Sequence, residues 1–378
     1  MKKRLTRKEE KLKSGDFLLM VFTMILVLFG LIMVFSASYY YSISKYDTAY
    51  SYLFKHGMWV VLGFGVMIFG ASFDYRRYQA LALPVLIGTI VLLILVLTPL
   101  GTTTNGATRW IKLGPITIMP GEIAKLGAIL FTSWFLSRDM ERIKSVTRGI
   151  LPLLLVTAVY GILIIKQPNL STAITVCGII VAMMLVAGMK WRYIACAGGL
   201  GALGIGVILI KKSGYWYERL TSFVDPFADP LGDGYQVVQS LLALGSGGLF
   251  GVGLGKSVQK NLYLPEPQND FIVAIIGEEL GFVGLVLLLA VYCLFIWRGV
   301  HIAINAPDQF GMLLSSGIVL MVAIQVILNI AVVTSSMPAT GINLPFISYG
   351  GNALLIFMFS VGVLMNISRH EPKNTGVN

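Results

Sequence analysis

The sequence predicts an all-α polytopic membrane protein of about ten transmembrane helices, with a large extracytoplasmic loop between helices 7 and 8. Of its 378 residues, 56% are hydrophobic and 12% are charged, whereas soluble domains carry roughly 25% charged residues. The apolar residues also occur in runs of about 20, the length that crosses a bilayer as a helix. A transmembrane β-barrel would instead show alternating segments of about ten residues, and the chain has none.

Ten apolar runs define the predicted helices. Their approximate bounds are 16–36, 52–72, 78–97, 120–136, 150–165, 170–188, 193–210, 271–297, 311–333 and 349–367. Several runs are short or contain Gly and Pro, which a helix bundle tolerates where neighbouring helices satisfy the backbone. We therefore expect one transmembrane domain over 16–367, preceded by a basic tail at 1–15 and followed by a second tail at 368–378.

The distribution of Lys and Arg predicts that both termini are cytoplasmic and that the protein lies in the cell membrane. With the N-terminus inside, the cytoplasmic segments hold 18 of the 29 basic residues. The opposite segments hold fewer, and nearly half of those lie in one long loop, which counts little for topology. The net charge of +11 is therefore explained by topology and by contact with membrane lipids, and not by binding of nucleic acid.

Cysteine and histidine show no metal-binding pattern in the sequence. The three cysteines fall inside apolar runs and are expected to behave as small hydrophobic residues, and the three histidines are scattered along the chain. A metal site is therefore not predicted from residue spacing.

The long loop at about 211–269 is the one sizeable segment outside the predicted helices. It contains an amphipathic stretch at 235–244 that could lie along the membrane surface. A glycine-rich run follows and ends in Gly255-Lys256-Ser257, like the end of a phosphate-binding loop. Such a loop needs glycine six residues before the lysine, where this chain has Phe250. We therefore interpret the run as a re-entrant segment, either flexible or tightly packed.

Asp270 is the strongest candidate for chemistry, because it directly precedes the apolar run 271–276 and so lies at the outer membrane boundary. Partial desolvation there would raise its pKa and favour a role as a general base near neutral pH. The alternative is a helix N-cap, for which aspartate is a preferred residue. The two interpretations are compatible.

Glu278 and Glu279 lie deeper in the same predicted helix. Eight residues at ~1.5 Å rise place Glu278 about 12 Å along the helix from Asp270, where charged groups are costly and need partners or water. Either the two acids form a polar wall of a substrate cavity, or they form a structural ion pair with a base on another helix, for which Lys125 is a candidate.

Arg109 lies in the predicted outer loop 102–110, and Lys125 lies a few residues into the fourth helix, near Glu122. Basic groups at an outer membrane face suit a lipid-linked phosphate or diphosphate. Arg109 and Trp110 could instead anchor the loop at the membrane interface. The last outer loop, 335–351, contains Pro and Gly but no charge, which indicates bent backbone that lines a cavity or protein. These patterns alone do not separate an enzyme from a transporter.

Six motifs, in order along most of the chain, resemble the SEDS family (shape, elongation, division and sporulation proteins), which includes FtsW, RodA and SpoVE. They lie at 105–111, 167–173, 251–260, 263–272, 278–281 and 338–351, the last containing Pro345-Phe346-Ile347-Ser348-Tyr349-Gly350-Gly351. The stretch 253–266 is more similar to the FtsW and SpoVE branch than to RodA. Some positions depart from the family pattern, notably Asn169, where an acid is usual.

The resemblance implies a peptidoglycan glycosyltransferase that polymerises lipid II outside the membrane, with a class B penicillin-binding protein as partner. It places the family's essential acid at Asp270, as the base for the acceptor hydroxyl. Arg109 and Lys125 would neutralise the leaving diphosphate, with a divalent cation (Mg or Mn) as a further candidate. Glu278, Glu279 and Ser348 complete the expected substrate-binding set.

Other functional classes stay open at this point. A lipid II flippase would use a cavity through the membrane, with charged groups near the inner leaflet. An ion-coupled transporter would use Glu278 and Glu279 and would show inverted repeats, none of which is visible. A non-catalytic scaffold for division or sporulation would leave Asp270 as a helix cap only.

Overall fold

The computed structural model describes residues 15–104, 107–114, 116–193, 195, 223–232 and 234–371. Ten α-helices lie in this part of the chain, in the order α1 Phe17–Tyr46, α2 Ser51–Ser72, α3 Tyr78–Val96, α4 Pro120–Ser137, α5 Leu151–Ile165, α6 Leu170–Val186, α7 Tyr235–Gly247, α8 Ile272–Ile304, α9 Gln309–Val333 and α10 Gly351–Arg369. Short 3-10 or π turns occupy Tyr75–Arg77, Met140–Lys144 and Val146–Ile150. Apart from residues 193 and 195, the predicted span 193–210 lies outside the described residues, and so does the first part of the long loop.

The predicted fold class, a polytopic bundle of membrane helices, is confirmed. Within the described residues, seven helical segments are long and apolar enough to cross a membrane. Helix α6 is a shorter apolar helix of 17 residues, and α4 carries the charged residues Glu122 and Lys125. Helices α1 and α8 continue well past the predicted ends of their apolar runs, to Tyr46 and Ile304.

A small antiparallel sheet departs from the all-α prediction. Strands β1 Gly101–Thr104, β2 Ala107–Leu113 and β3 Ile116–Ile118 follow one another between α3 and α4 in the order β1-β2-β3. The β1 and β2 segments are rich in β-branched residues and flank Asn105-Gly106 in the sequence, which is the strongest short hairpin signal. We call the end of the bundle that carries this sheet the sheet end.

Helix α8 is broken at Gly281, whose φ of 66° and ψ of −169° are not helical. The glycine-rich run after α7 replaces the hydrogen bonds that this break removes. Val252 N donates to Glu278 O at 2.9 Å, and Gly253 N donates to Glu279 O at 3.0 Å. On the other side of the break, Phe282 N donates to Gly248 O at 2.9 Å. The run is therefore tightly packed against α8, as one of the two sequence interpretations required.

Helices α2 and α10 approach each other closely through glycines. A Cβ on Gly362 would lie 2.2 Å from Met67 O, and a Cβ on Gly70 would lie 2.9 Å from Phe359 O. Small residues allow such close packing in membranes, where apolar lipid provides no hydrophobic drive between helices. This contact places the N-terminal half of α2 beside the loop that precedes α10.

Candidate active site

A cavity of about 530 Å³ opens at the sheet end and is lined by both polar and apolar side chains. Its walls come from α2, β2, β3, α4, α6, α9, the segment before α8, the segment before α10 and the start of α10. It brings together three of the six predicted site residues, Arg109, Lys125 and Asp270. These three lie far apart in the sequence, so only the packing of the helices makes them neighbours.

Asp270 does not cap a helix, so the N-cap interpretation was wrong. Helix α8 begins at Ile272, its N-cap is Phe271, and no side chain makes the cap hydrogen bond. The backbone of Asp270 is held instead from α9, because Asn329 Nδ2 donates to Asp270 O at 3.0 Å and to Ile342 O at 2.5 Å. The carboxylate thus lies in the cavity wall and is free of a capping role.

The pKa of Asp270 is raised from its usual value to about 6. Burial is the main cause, because it penalises the charged form, and the negative charge of Glu266 adds to it. The positive charge of Arg109 acts in the opposite direction. A carboxyl group with this pKa is ionised at neutral pH yet basic enough to accept a proton.

Lys125 and Glu122 form an ion pair inside the bundle. Lys125 Nζ lies 2.7 Å from Glu122 Oε2, and the two side chains are only 1% and 7% exposed. Lys125 Nζ also donates to Gln325 Oε1 of α9 at 3.1 Å. Because all three residues line the cavity, the ammonium group is fixed at its floor.

Arg109 reaches the cavity from strand β2 and donates a hydrogen bond from Nη2 to the carbonyl oxygen of Pro168, just before α6. The side chain of Asn169 then caps α6, since its Oδ1 accepts from Thr172 N at 3.2 Å. Asn169 is where the family usually has an acid, and an amide oxygen performs the same cap without a charge.

Glu278 and Glu279 do not line the cavity; they anchor the loop that follows the glycine run. Glu279 Oε1 lies 2.8 Å from Lys260 Nζ and accepts from Ser36 Oγ of α1 at 2.7 Å. Glu278 accepts hydrogen bonds from Ser257 Oγ and from Val258 N, the latter at 2.8 Å. Their substrate-binding role stays a prediction, and this geometry favours the structural ion pair, with Lys260 as the base in place of Lys125.

Ser348 is likewise outside the cavity lining. Its Oγ donates to Asn269 O at 2.6 Å and accepts from Leu344 N at 2.8 Å. The next residue along, Tyr349, donates from its backbone N to Gln268 O at 2.9 Å. The segment before α10 therefore holds the segment before α8 in place, with Ser348 bound to the backbone next to Asp270. The substrate-binding role of Ser348 stays a prediction.

Several cavity residues escaped the sequence analysis as site candidates: Trp59, Glu266, Gln325 and, beside the cavity, Asn329. Gln325 and Asn329 are spaced four residues apart in the apolar run 311–333. Polar side chains inside a membrane helix usually face the bundle interior and mark functional sites. This pattern in the sequence could have identified Gln325 and Asn329 as site candidates.

Replacing Gly341 with alanine tests how strictly the Asp270 carboxylate is positioned. A Cβ at this position would lie 2.7 Å from Asp270 Oδ2, so the carboxylate must move. We expect activity to fall about 10-fold to 100-fold, the range that a misplacement of about 1 Å can cause. Gly88→Ala is the matched control, because a Cβ on Gly88 meets nothing within 4 Å. Equal activity of Gly341→Ala and Gly88→Ala would contradict a strict requirement for the position of the Asp270 carboxylate.

Three comparisons place this chain among known proteins. The family model FTSW_RODA_SPOVE, described as cell cycle protein, matches residues 16–373. Stage V sporulation protein E of Bacillus subtilis is 42% identical over 362 residues, covering 96% of this chain and 99% of that protein. The protein of Geobacter sp. named "Probable peptidoglycan glycosyltransferase FtsW" is 37% identical over 359 residues, covering 95% of this chain and 98% of its own.

Solved structures agree with the fold. One neighbour is a chain from a structure described as structural coordination of polymerization and crosslinking by a peptidoglycan synthase complex. It superimposes with a TM-score of 0.78 at 27% identity, and the match covers 94% of this chain and 98% of that chain. The rod shape determining protein RodA of Thermus thermophilus superimposes with a TM-score of 0.69, at 28% identity, over 95% of this chain and 98% of its own.

Proposed function

Because this chain belongs to the FtsW, RodA and SpoVE family of cell cycle proteins, we propose that it is a peptidoglycan glycosyltransferase that polymerises lipid II at the outer face of the cell membrane. Multi-pass membrane location follows from the family and the apolar helices. The observation that supports the chemistry best is the cavity at the sheet end, which holds the Asp270 carboxyl group together with Arg109 and Lys125.

Asp270 is proposed as the general base. The donor sugar of lipid II is linked through an α-diphosphate and the product bond is β-1,4, so the anomeric carbon inverts and a single displacement suffices. Asp270 takes the proton of the acceptor 4-hydroxyl, the oxygen bonds to the anomeric carbon, and the undecaprenyl diphosphate leaves. Because the acceptor is a sugar and not water, the two-carboxylate scheme of glycoside hydrolases does not apply.

Arg109 is proposed as the main cation for the leaving diphosphate. Its guanidinium can bind phosphate oxygens in a bidentate manner. Lys125 lies 2.7 Å from Glu122, so much of its charge is already balanced. We therefore assign Lys125 a smaller share of the diphosphate charge and a larger role in shaping the cavity floor.

A divalent cation, Mg or Mn, stays a prediction. Within the described residues, no group of three or more His, Cys, Asp or Glu could hold a metal ion. Magnesium, however, often binds through one or two carboxylates together with substrate phosphates. Glu266 and Asp270 in the same cavity fit that mode, and the cation would add positive charge at the diphosphate.

Partner and orientation are proposed from the same family. The superimposed peptidoglycan synthase complex supports a class B penicillin-binding protein as transpeptidase partner for this chain. The distribution of Lys and Arg supports cytoplasmic termini, which puts the sheet end and its cavity outside. The identity with stage V sporulation protein E and with FtsW supports a role in sporulation or division.

Polymerisation of purified lipid II, with and without a cognate transpeptidase, tests the proposed function. The expected result is β-1,4 glycan chains that form without nucleotide. Transport of lipid II across a vesicle membrane without glycan chains would overturn the proposal and favour a flippase. Absence of both activities in folded protein with its partner would favour a scaffold.

The pH dependence of polymerisation follows from the pKa of Asp270. A base must be deprotonated, so we expect the rate to be flat near neutral pH and to fall about tenfold per unit below pH 6. The Glu266→Gln variant removes a negative charge that raises this pKa, so its acid limb should shift to lower pH. If the rate of Glu266→Gln falls at the same pH as that of the wild type, the assignment of Asp270 as the base is contradicted.

A further inference from the structure

Trp59 lines the cavity from α2, a helix that holds no predicted site residue. It is partly buried, and Gly351 at the start of α10 covers part of its ring. A Cβ on Gly351 would lie 2.3 Å from Trp59 Cε2, 2.4 Å from Cδ2 and 2.6 Å from Nε1. A point so close to both ring-fusion atoms lies over the ring face, so one face of the indole packs on the glycine backbone.

We propose that Trp59 is a sugar-stacking platform that binds a pyranose ring of the N-acetylated disaccharide substrate. This inference rests on the proposed function and adds to it the residue that recognises the sugar. A pyranose has a face of C–H groups, and an aromatic ring attracts such groups through its negative face. Because Gly351 covers one face of the indole, the remaining ring surface in the cavity wall is available to the ligand.

The lining of the cavity combines two kinds of side chain. Arg109, Lys125 and Asp270 provide the groups for a diphosphate and for proton transfer, whereas Trp59, Trp110 and Tyr349 are aromatic. A ligand that uses both kinds of side chain must combine an anionic phosphate with a neutral ring that has apolar faces. A sugar diphosphate has this composition, and ligand sites commonly pair an apolar wall with a few placed polar groups.

The indole N–H supports binding of a polar ligand. Among the residues that the structure describes, none accepts a hydrogen bond from Trp59 Nε1, so this donor of the partly buried ring is available to a ligand. In the cavity, the N–H can donate to a sugar oxygen or to the carbonyl of an N-acetyl group. This donor would orient the ring that stacks on the indole.

The platform is held rigidly. The glycine contacts of α2 with α10 at Gly70 and Gly362 hold α2 on the C-terminal side of the indole, and Gly351 packs on the indole itself. Tyr349 continues the aromatic wall and packs edge-on against Tyr52 of α2, with 4.9 Å between ring centroids. A wall that does not reorganise loses less entropy when it binds substrate.

Steady-state kinetics with lipid II separate sugar stacking from a structural role. Trp59→Leu keeps an apolar side chain but loses the flat face and the N–H, so we expect KM to rise about tenfold with kcat nearly unchanged. Trp59→Phe keeps a flat face and should raise KM about threefold. Trp297→Leu on α8, where the native side chain is 55% exposed, is the matched control and should leave KM unchanged.

Binding without turnover completes the test. In the Asp270→Asn background, we expect Trp59→Leu to weaken binding of lipid II about tenfold. Binding of sugar-free undecaprenyl diphosphate should stay unchanged, and this unchanged binding would also show that the variant is folded. Equal weakening of both lipids would overturn the inference, because Trp59 would then contact the prenyl diphosphate. If the wild type is active and Trp59→Leu has an unchanged KM, the inference is also overturned. If the wild type itself does not polymerise lipid II, the result counts against the proposed function and not against the role of Trp59.

Discussion

Asp270→Asn is expected to lower the rate of lipid II polymerisation by about 10²-fold to 10⁴-fold, the usual contribution of a general base. The amide is nearly the same size as the carboxyl group but cannot accept the proton. The backbone anchor remains, because Asn329 binds the main-chain oxygen of residue 270. The loss should therefore appear in kcat, with the affinity for lipid II nearly unchanged.

A comparison of pH profiles separates a base from a merely structural acid. The residual activity of Asp270→Asn should lack the acid limb that the wild type shows near the pKa of about 6. Asp270→Glu, which keeps a carboxyl group one methylene further out, should retain the limb at reduced rate. Glycan chains made at the normal rate by Asp270→Asn would rule out the proposed mechanism.

Breaking the ion pair between Lys125 and Glu122 is expected to destabilise the protein strongly. Both side chains are buried, and removing one partner of a buried pair leaves an uncompensated charge at a cost of about 3–5 kcal/mol. Lys125→Met and Glu122→Gln should each lower the thermal unfolding temperature of the purified protein. The double variant should recover most of that loss, because no unpaired charge remains.

Activity and stability should separate in this double variant. If the Lys125 ammonium helps to neutralise the diphosphate, polymerisation stays low although the fold is restored. The exposed pair Lys144–Glu141, with an N–O distance of 2.6 Å and side chains 61% and 74% exposed, is the matched control. Lys144→Met should change stability by less than about 1 kcal/mol. Additive losses in the double variant would show that the two buried residues act independently.

The membrane architecture and the individual polar candidates could be predicted before any coordinates. Apolar runs of about 20 residues leave little choice but helices that cross a bilayer, so the described helices fall close to the predicted runs. Asp270 and Arg109 stood out because charges are rare beside such runs. The sheet at 101–118 was missed because its strands are short, although Asn105-Gly106 marked the hairpin.

The partners of each charge could not be predicted. Lys125 was a candidate base for Glu278 and Glu279, but it pairs with Glu122 one helical turn away, and Glu279 pairs with Lys260. The reason is the break of α8 at Gly281, which brings the glycine-rich run and the loop after it against both glutamates. Spacing along a chain does not reveal which segments fold back across a helix break.

The sequence by itself determined the bundle of membrane helices, the family and Asp270 as the candidate base, because hydropathy and local motifs are properties of short segments. Only the tertiary structure decided that Asp270 lines a cavity with Arg109 and Lys125, that the glutamate pair supports a loop, and that α2 contributes Trp59. Those facts depend on which helix faces lie against each other. That choice is made by close contacts, such as the glycines between α2 and α10, that no single segment encodes.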